Sequence, residues 1–200
     1  MGLLAKVFQL GATRDFKIAT DLFIYHNDYE GALFAVERAL NQDSSNYRAA
    51  ILYADILFCL HREMEALAVL EDVIEQNPTS PEAYISKASV LEVFGKMREA
   101  LNCCRLALQY TDSSKAYLLQ TIYEQKLSLL INLKAYRAAE NVLIAAENVL
   151  DGDEYDYLLC TYQREITKAR RLHQQQLKSQ NTPVGSAGAA DAVGLKLIKR

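Results

Sequence analysis

The chain has 200 residues, with 22 Lys or Arg against 25 Asp or Glu, a formal net charge of −3, and half its residues hydrophobic. That is enough apolar material for a substantial core in one compact domain or one repeat array. Eight Gly, three Pro and no Trp disfavour an all-β fold with its many tight turns, and no apolar run approaches the length of a membrane span.

At the amino end, residues 1–13 form a lead segment. Met1-Gly-Leu-Leu-Ala-Lys6 lacks the pattern of a signal peptide. Lys6 also stands where a myristoylation signal wants Ser or Thr. From residue 14 the apolar spacing is three and four, which predicts helices rather than strands. Phe16, Ala19 and Phe23 mark a first helix, Tyr25-His-Asn-Asp28 a turn, and Tyr29-Glu-Gly-Ala-Leu33 the opening of a second helix. The next pair has Ala50, Tyr53 and Leu57, the turn Leu60-His-Arg62, and Glu63-Met-Glu-Ala-Leu67. Ser80-Pro81-Glu82 then supplies an N-cap, a Pro at the first helical position and an early acid. It opens a third pair with Tyr84, Ala88, Leu91, the turn Phe94-Gly-Lys96 and Met97-Arg-Glu-Ala-Leu101. A fourth has Tyr123, Leu127, Leu130, the turn Asn132-Leu-Lys134 and Tyr136-Arg-Ala-Ala-Glu140.

These pairs repeat. Ala32, Ala66 and Ala100 are spaced by 34 residues, and Ala139 follows after 39, so about one helical turn is inserted before it. Seven residues after each stands another small apolar residue: Ala39, Val73, Ala107 and Ala146. Small residues in phase mark places where two helices cross closely, since a large side chain there would hold the backbones apart. A nonrepetitive helical bundle is the alternative architecture.

The pattern resembles the tetratricopeptide repeat, which couples a 34-residue period to these apolar and small positions. Asn77-Pro78 matches the proline that commonly closes such a repeat. The resemblance covers residues 14–150. It departs where the first-helix Trp is replaced by Phe16, Ala50, Tyr84 and Tyr123, and where the paired Leu-Gly is absent. It implies an all-α, right-handed α-solenoid of about four helix pairs. Residues 151–180 read as a C-terminal capping helix, with an apolar stripe through Tyr155, Leu158, Leu159, Tyr162, Ile166, Ala169, Leu172 and Leu177. Its acids at the start and bases toward the end complement the helix dipole. Residues 181–200 are low in complexity, read as a disordered tail, and end in Lys196-Leu-Ile-Lys-Arg200.

Candidate chemistry is sparse. His26, His61 and His173 are far apart, and no His-Glu-x-x-His, phosphate-binding glycine loop or nucleophile elbow is present. Cys59, Cys103, Cys104 and Cys160 form no Cys-x-x-Cys pair, which suits reduced thiols in the cytoplasm. Cys104 falls on the core stripe as a small hydrophobe. The reading is of a nonenzymatic chain with no cofactor and no metal.

In the resembled family, the first helix of each repeat lines a concave groove that binds protein. Carried over by position, that lining includes Lys17, Ile18, Asp21, Arg48, Ile51, Leu52, Asp55, Phe58 and Glu92, together with Glu82, Ile85, Ser86, Ser89, Glu124, Gln125, Ser128 and Ile131. Ile51, Leu52 and Phe58 have an equal alternative, packing against neighbouring helices. The groove suits a protein or peptide segment with apolar and basic side chains. The clamp that some cochaperones of the family use for chaperone C-termini is not matched. Lys17 fits it, but Asp21, Leu52, Glu82 and Ser86 do not, and two of these are carboxylates where a carboxylate must bind.

Residues 14–150 carry net −6 and residues 164–200 net +6. The basic end lacks the aromatic interleaving of single-strand binders, so no nucleic acid is expected. The leading expectation is a noncatalytic adaptor or scaffold subunit of a multiprotein complex. The alternative is an assembly or secretion-type chaperone holding a client subunit.

Overall fold

The computed structural model describes residues 14–112 and 114–180. The lead segment 1–13 and the tail 181–200, with its basic end, lie outside the described residues. Among those described, every regular element is a helix. The first, α1, runs over 14–21 and widens into a π-helical turn at Leu22–His26. It is followed by α2 (Tyr29–Gln42), α3 (Tyr47–Cys59), α4 (Glu63–Gln76), α5 (Pro81–Val93), α6 (Met97–Tyr110), α7 (Ala116–Asn132), α8 (Tyr136–Glu147) and α9 (Gly152–Gln180). None is long and apolar enough to cross a membrane.

Three of the helices, α2, α3 and α5, start where a side chain satisfies a first-turn amide. Asp28 accepts from the Gly31 amide at 3.0 Å and Asn46 from that of Ala49 at 3.1 Å. Ser80 accepts from the Ala83 amide at 3.4 Å, with Pro81 at the first helical position. This is the cap expected there, and it uses donors that otherwise have no partner in the first turn.

The turns inside the pairs share one device. Asn27, His61, Gly95 and Lys134 all adopt left-handed backbone, with φ of 52°, 58°, 70° and 58°. They follow one another in the same phase as the alanines. The amide after each closes back across the helix end: Asp28 onto Leu22, Arg62 onto Leu57, Lys96 onto Leu91 and Ala135 onto Leu130, at 2.9–3.1 Å. Such closure satisfies helix-end carbonyls and reverses the chain within three residues. Two turns sit slightly later than expected, because Tyr25 and His26 remain in the π turn and Asn132 in α7.

The repeated alanines occupy the helix crossings. Ala32, Ala66, Ala100 and Ala139 are all fully buried. The five extra residues before Ala139 divide between an α7 of 17 residues, against 13 in α3 and α5, and a longer connection after α6. The added turn carries Leu118 and Leu119, both buried.

The core is a row of four clusters. Each is built from one helix pair and the first helix of the next. Thus α3 is shared by the first two clusters, α5 by the second and third, and α7 by the last two. The end cluster closes on α9 through Leu158 and Ile166, with Tyr155, Leu159 and Tyr162 at its margin. The apolar stripe of α9 loses its cover further on. Leu172 and Leu177, expected to continue it, are about half exposed, since α8 has 12 residues against 29 in α9. In α3 the buried small positions are Ala49 and Ala54, one residue away from the expected Ala50 and Tyr53, which are half-buried.

One polar knot was not anticipated. The Asp15 carboxylate is buried, accepts from Gln42 Nε2 at 2.9 Å, and lies 3.3 Å from Arg38 Nη2. It ties α1 to the far end of α2.

Candidate functional site

The shared-helix arrangement sets α1, α3, α5 and α7 side by side, with α9 taking the next place in the row. Their outer faces form one continuous surface. Polar bonds run across it between successive first helices. Gln125 Nε2 donates to Ser89 Oγ at 2.7 Å, and Asn132 Nδ2 to Glu92 Oε1 at 2.9 Å. Lys115 Nζ, just before α7, lies 3.4 Å from Glu82 Oε1.

The residues carried over from the sequence spread along this surface unequally. Lys17, Ile18 and Arg48 are exposed, while Asp21, Leu52, Asp55, Phe58 and Glu92 are half-buried. Ile51 must be corrected. It is buried inside the cluster of α3, α4 and α5, so packing takes it and leaves almost nothing for a partner. Leu52 and Phe58 lean on neighbouring clusters from the margin. Glu82 is paired with Lys115, so its charge is already compensated, and Glu92 accepts a hydrogen bond from the neutral Asn132 amide.

Asp21 and Asp55 differ from Glu82, because neither forms an ion pair among the described residues. Burial pushes the Asp55 carboxyl up to about 6, against an opposing hydrogen bond from Ser86 on α5. The Cys59 thiol one turn further on is raised by burial first, then by the Asp55 charge. A carboxylate held this way gains from any cation brought to it, since the opposite charge replaces lost hydration.

Toward the other end the surface deepens into a cleft of about 280 Å³. Ile85, Ser89 and Glu92 of α5 form one wall. Thr121, Glu124, Gln125 and Ser128 of α7 form the floor, and Tyr162 of α9 closes the side. Six of these are expected lining positions. Thr121 and Tyr162 were missed, although Tyr162 follows Ser128 by one 34-residue period. Burial, then the nearby Glu124 and Glu165 charges, push the Tyr162 phenol up to about 12. It is therefore a neutral hydrogen-bonding group beside two acids.

Among the described residues no group of three or more His, Cys, Asp or Glu is placed to hold a metal ion. His26 and His61 sit at turns and His173 lies far along α9. Burial raises the Cys104 thiol to about 12 and also raises that of Cys103. Both stay protonated at neutral pH and are poor nucleophiles.

Comparison with known proteins agrees with this geometry. The profile of a family described as anaphase-promoting complex, cyclosome, subunit 3 matches residues 25–107. No curated protein sequence matches. Several solved structures share the fold. A thermophilic TPR protein of Thermus thermophilus superposes with a TM-score of 0.62 at 18% identity, covering 84% of this chain and 95% of that one. MamA from residue 41 to its end, from Desulfovibrio magneticus RS-1, gives 0.56 at 13% identity over 74% and 96% of the two chains. YrrB, described as a TPR protein with an unusual peptide-binding site, gives 0.55 at 18% identity over 74% and 73%.

Proposed function

We propose that this chain, which shares the fold of solved tetratricopeptide-repeat proteins, is a noncatalytic adaptor or scaffold subunit whose concave face holds a segment of a protein partner. The observation that carries the reading is the pair Asp21 and Asp55. They lie one repeat apart on successive first helices, uncompensated by any cation among the described residues. Beside them the half-buried Leu52 and Phe58 offer apolar contact. A partner segment with Lys or Arg at matching intervals and apolar side chains between them meets both demands. The acidic cleft around Glu92, Glu124 and Tyr162 continues the same preference toward α9. That YrrB is described with a peptide-binding site on the same fold supports this use of it.

The test is affinity capture from cells with the tagged full chain, with captured proteins identified by mass spectrometry. Asp21→Lys places a like charge before the expected basic segment at a half-exposed site, so melting stays unchanged. Specific partners are then lost, and the loss is concentrated in association rate and sensitive to salt. Partners retained by Asp21→Lys with undiminished affinity would move the interaction off the concave face.

A further inference from the structure

A second cleft lies at the other side of the end pair, away from the concave lining. It has a volume of about 520 Å³ and opens between the turn before α8, the first turn of α8, and α9. Lys134, Arg137, Arg170 and His173 all line it, and no acidic side chain does.

The arrangement is braced. The Tyr136 hydroxyl donates to the Ala169 carbonyl of α9 at 3.2 Å, which fixes the ring between the two helices. The Arg170 guanidinium sits 5.9 Å from that ring's centre, and the His173 ring is also 5.9 Å from it. Arg170 is further oriented by Glu140, 2.6 Å away. Lys134 and Arg137 form no ion pair among the described residues. With Arg170 and Glu140 cancelling, two fixed positive charges remain facing the cleft in a chain whose overall charge is negative.

We propose that this cleft between α8 and α9 is a docking site for a phosphorylated serine or threonine in a segment of a protein partner. The charge sets the ligand class. Two uncompensated cations match a phosphoryl group, which carries about −1.5 to −2 at neutral pH, better than a single carboxylate. Arg137 and Arg170 present planar donor forks suited to its oxygens. The volume exceeds what a phosphoryl group alone fills, and Ala135, Ala138 and the Tyr136 ring line the remainder, which favours a phosphorylated side chain with its flanking residues. The Tyr136 ring is already in contact with Arg170 and His173. The inference stands apart from the groove reading, since no residue of the concave lining takes part.

The test uses the full chain, labelled for two-dimensional NMR and titrated at constant ionic strength. The probe is the capped peptide Ala-Leu-phosphoserine-Leu-Ala, with its unphosphorylated counterpart beside it. The phosphopeptide shifts the amides of Tyr136, Arg137 and Ala138 and the ring of His173, and the unphosphorylated peptide does not. Arg137→Gln weakens the phosphopeptide about tenfold. Lys134→Gly does the same while leaving melting equal or higher, because glycine relieves the left-handed backbone at φ 58°. Affinity and stability thus move independently, and a folding defect cannot imitate the result. Equal shifts from both peptides, or unchanged affinity in both variants, overturn the proposal. So does tighter binding at these residues by a single-stranded oligonucleotide or by phosphatidylserine vesicles.

Discussion

Asp55 offers a direct measure of what burying a carboxylate between successive first helices costs the fold. An isolated Asp titrates near 3.8, whereas packing between α3 and α5 moves this carboxyl to about 6. Between those values the unfolded chain has released its proton and the native chain still holds it. The native state therefore binds more protons there, and stability falls as pH rises through the window. Below about pH 3.8 the penalty is absent, and above about pH 6 it is complete. A displacement of that size corresponds to roughly 3 kcal/mol, and solvent reaching the half-buried side chain reduces it to about 2–3 kcal/mol. Asp55→Asn keeps the shape and removes the charge. Thermal melts of both proteins, followed by circular dichroism from about pH 3.5 to 8, isolate the effect, because every other titrating group is common to the two. The curves should coincide near about pH 3.5 and diverge to about 5–10 °C in favour of Asn by about pH 7. Parallel curves across the window would refute the argument. Binding adds a second reading. A cationic partner side chain placed at Asp55 lowers its pKa, so association near about pH 5.5 releases protons, and the measured heat then depends on the ionisation enthalpy of the buffer.

Other positions separate the contributions to the fold. Ala66 is fully buried at a helix crossing, so Ala66→Trp should cost on the order of 1–3 kcal/mol or more by overpacking, and a wild-type melting curve would deny the crossing role of these alanines. His61 has φ of 58° and an exposed side chain, so His61→Gly should raise stability by up to about 1 kcal/mol in urea titrations. Leu158 of α9 is fully buried in the end cluster. Leu158→Ala should therefore cost about 2–5 kcal/mol and raise dye binding to exposed apolar surface, while the same change at the half-exposed Leu177 should leave melting within about 0.5 kcal/mol.

The sequence alone determined the repeat and its phase. A 34-residue recurrence of small residues fits successive helix pairs that cross at equivalent points, so Ala32, Ala66 and Ala100, with Ala139 after an inserted turn, point to the repeat architecture. The left-handed turn positions Asn27, His61, Gly95 and Lys134 follow the same phase, but of the four only Gly95 advertises its backbone. What the period cannot decide is which outward-facing residue remains outward. Helical spacing assigns Ile18, Ile51 and Leu52 to one side of their helices, yet Ile18 is exposed, Leu52 lies at a margin, and Ile51 is buried where α4 and α5 close over it. That outcome depends on how near the next helices approach, a property of two crossings rather than of one helix face. The same reason governs charge. Glu82 reads like Asp21 and Asp55 in the sequence, and only the stacked repeats bring Lys115 to the glutamate while leaving the aspartates without a counter-ion among the described residues. Tyr162 belongs to both accounts. Its phase with Ser128 is present in the sequence, but its place in the groove required α9 to pack as the next first helix.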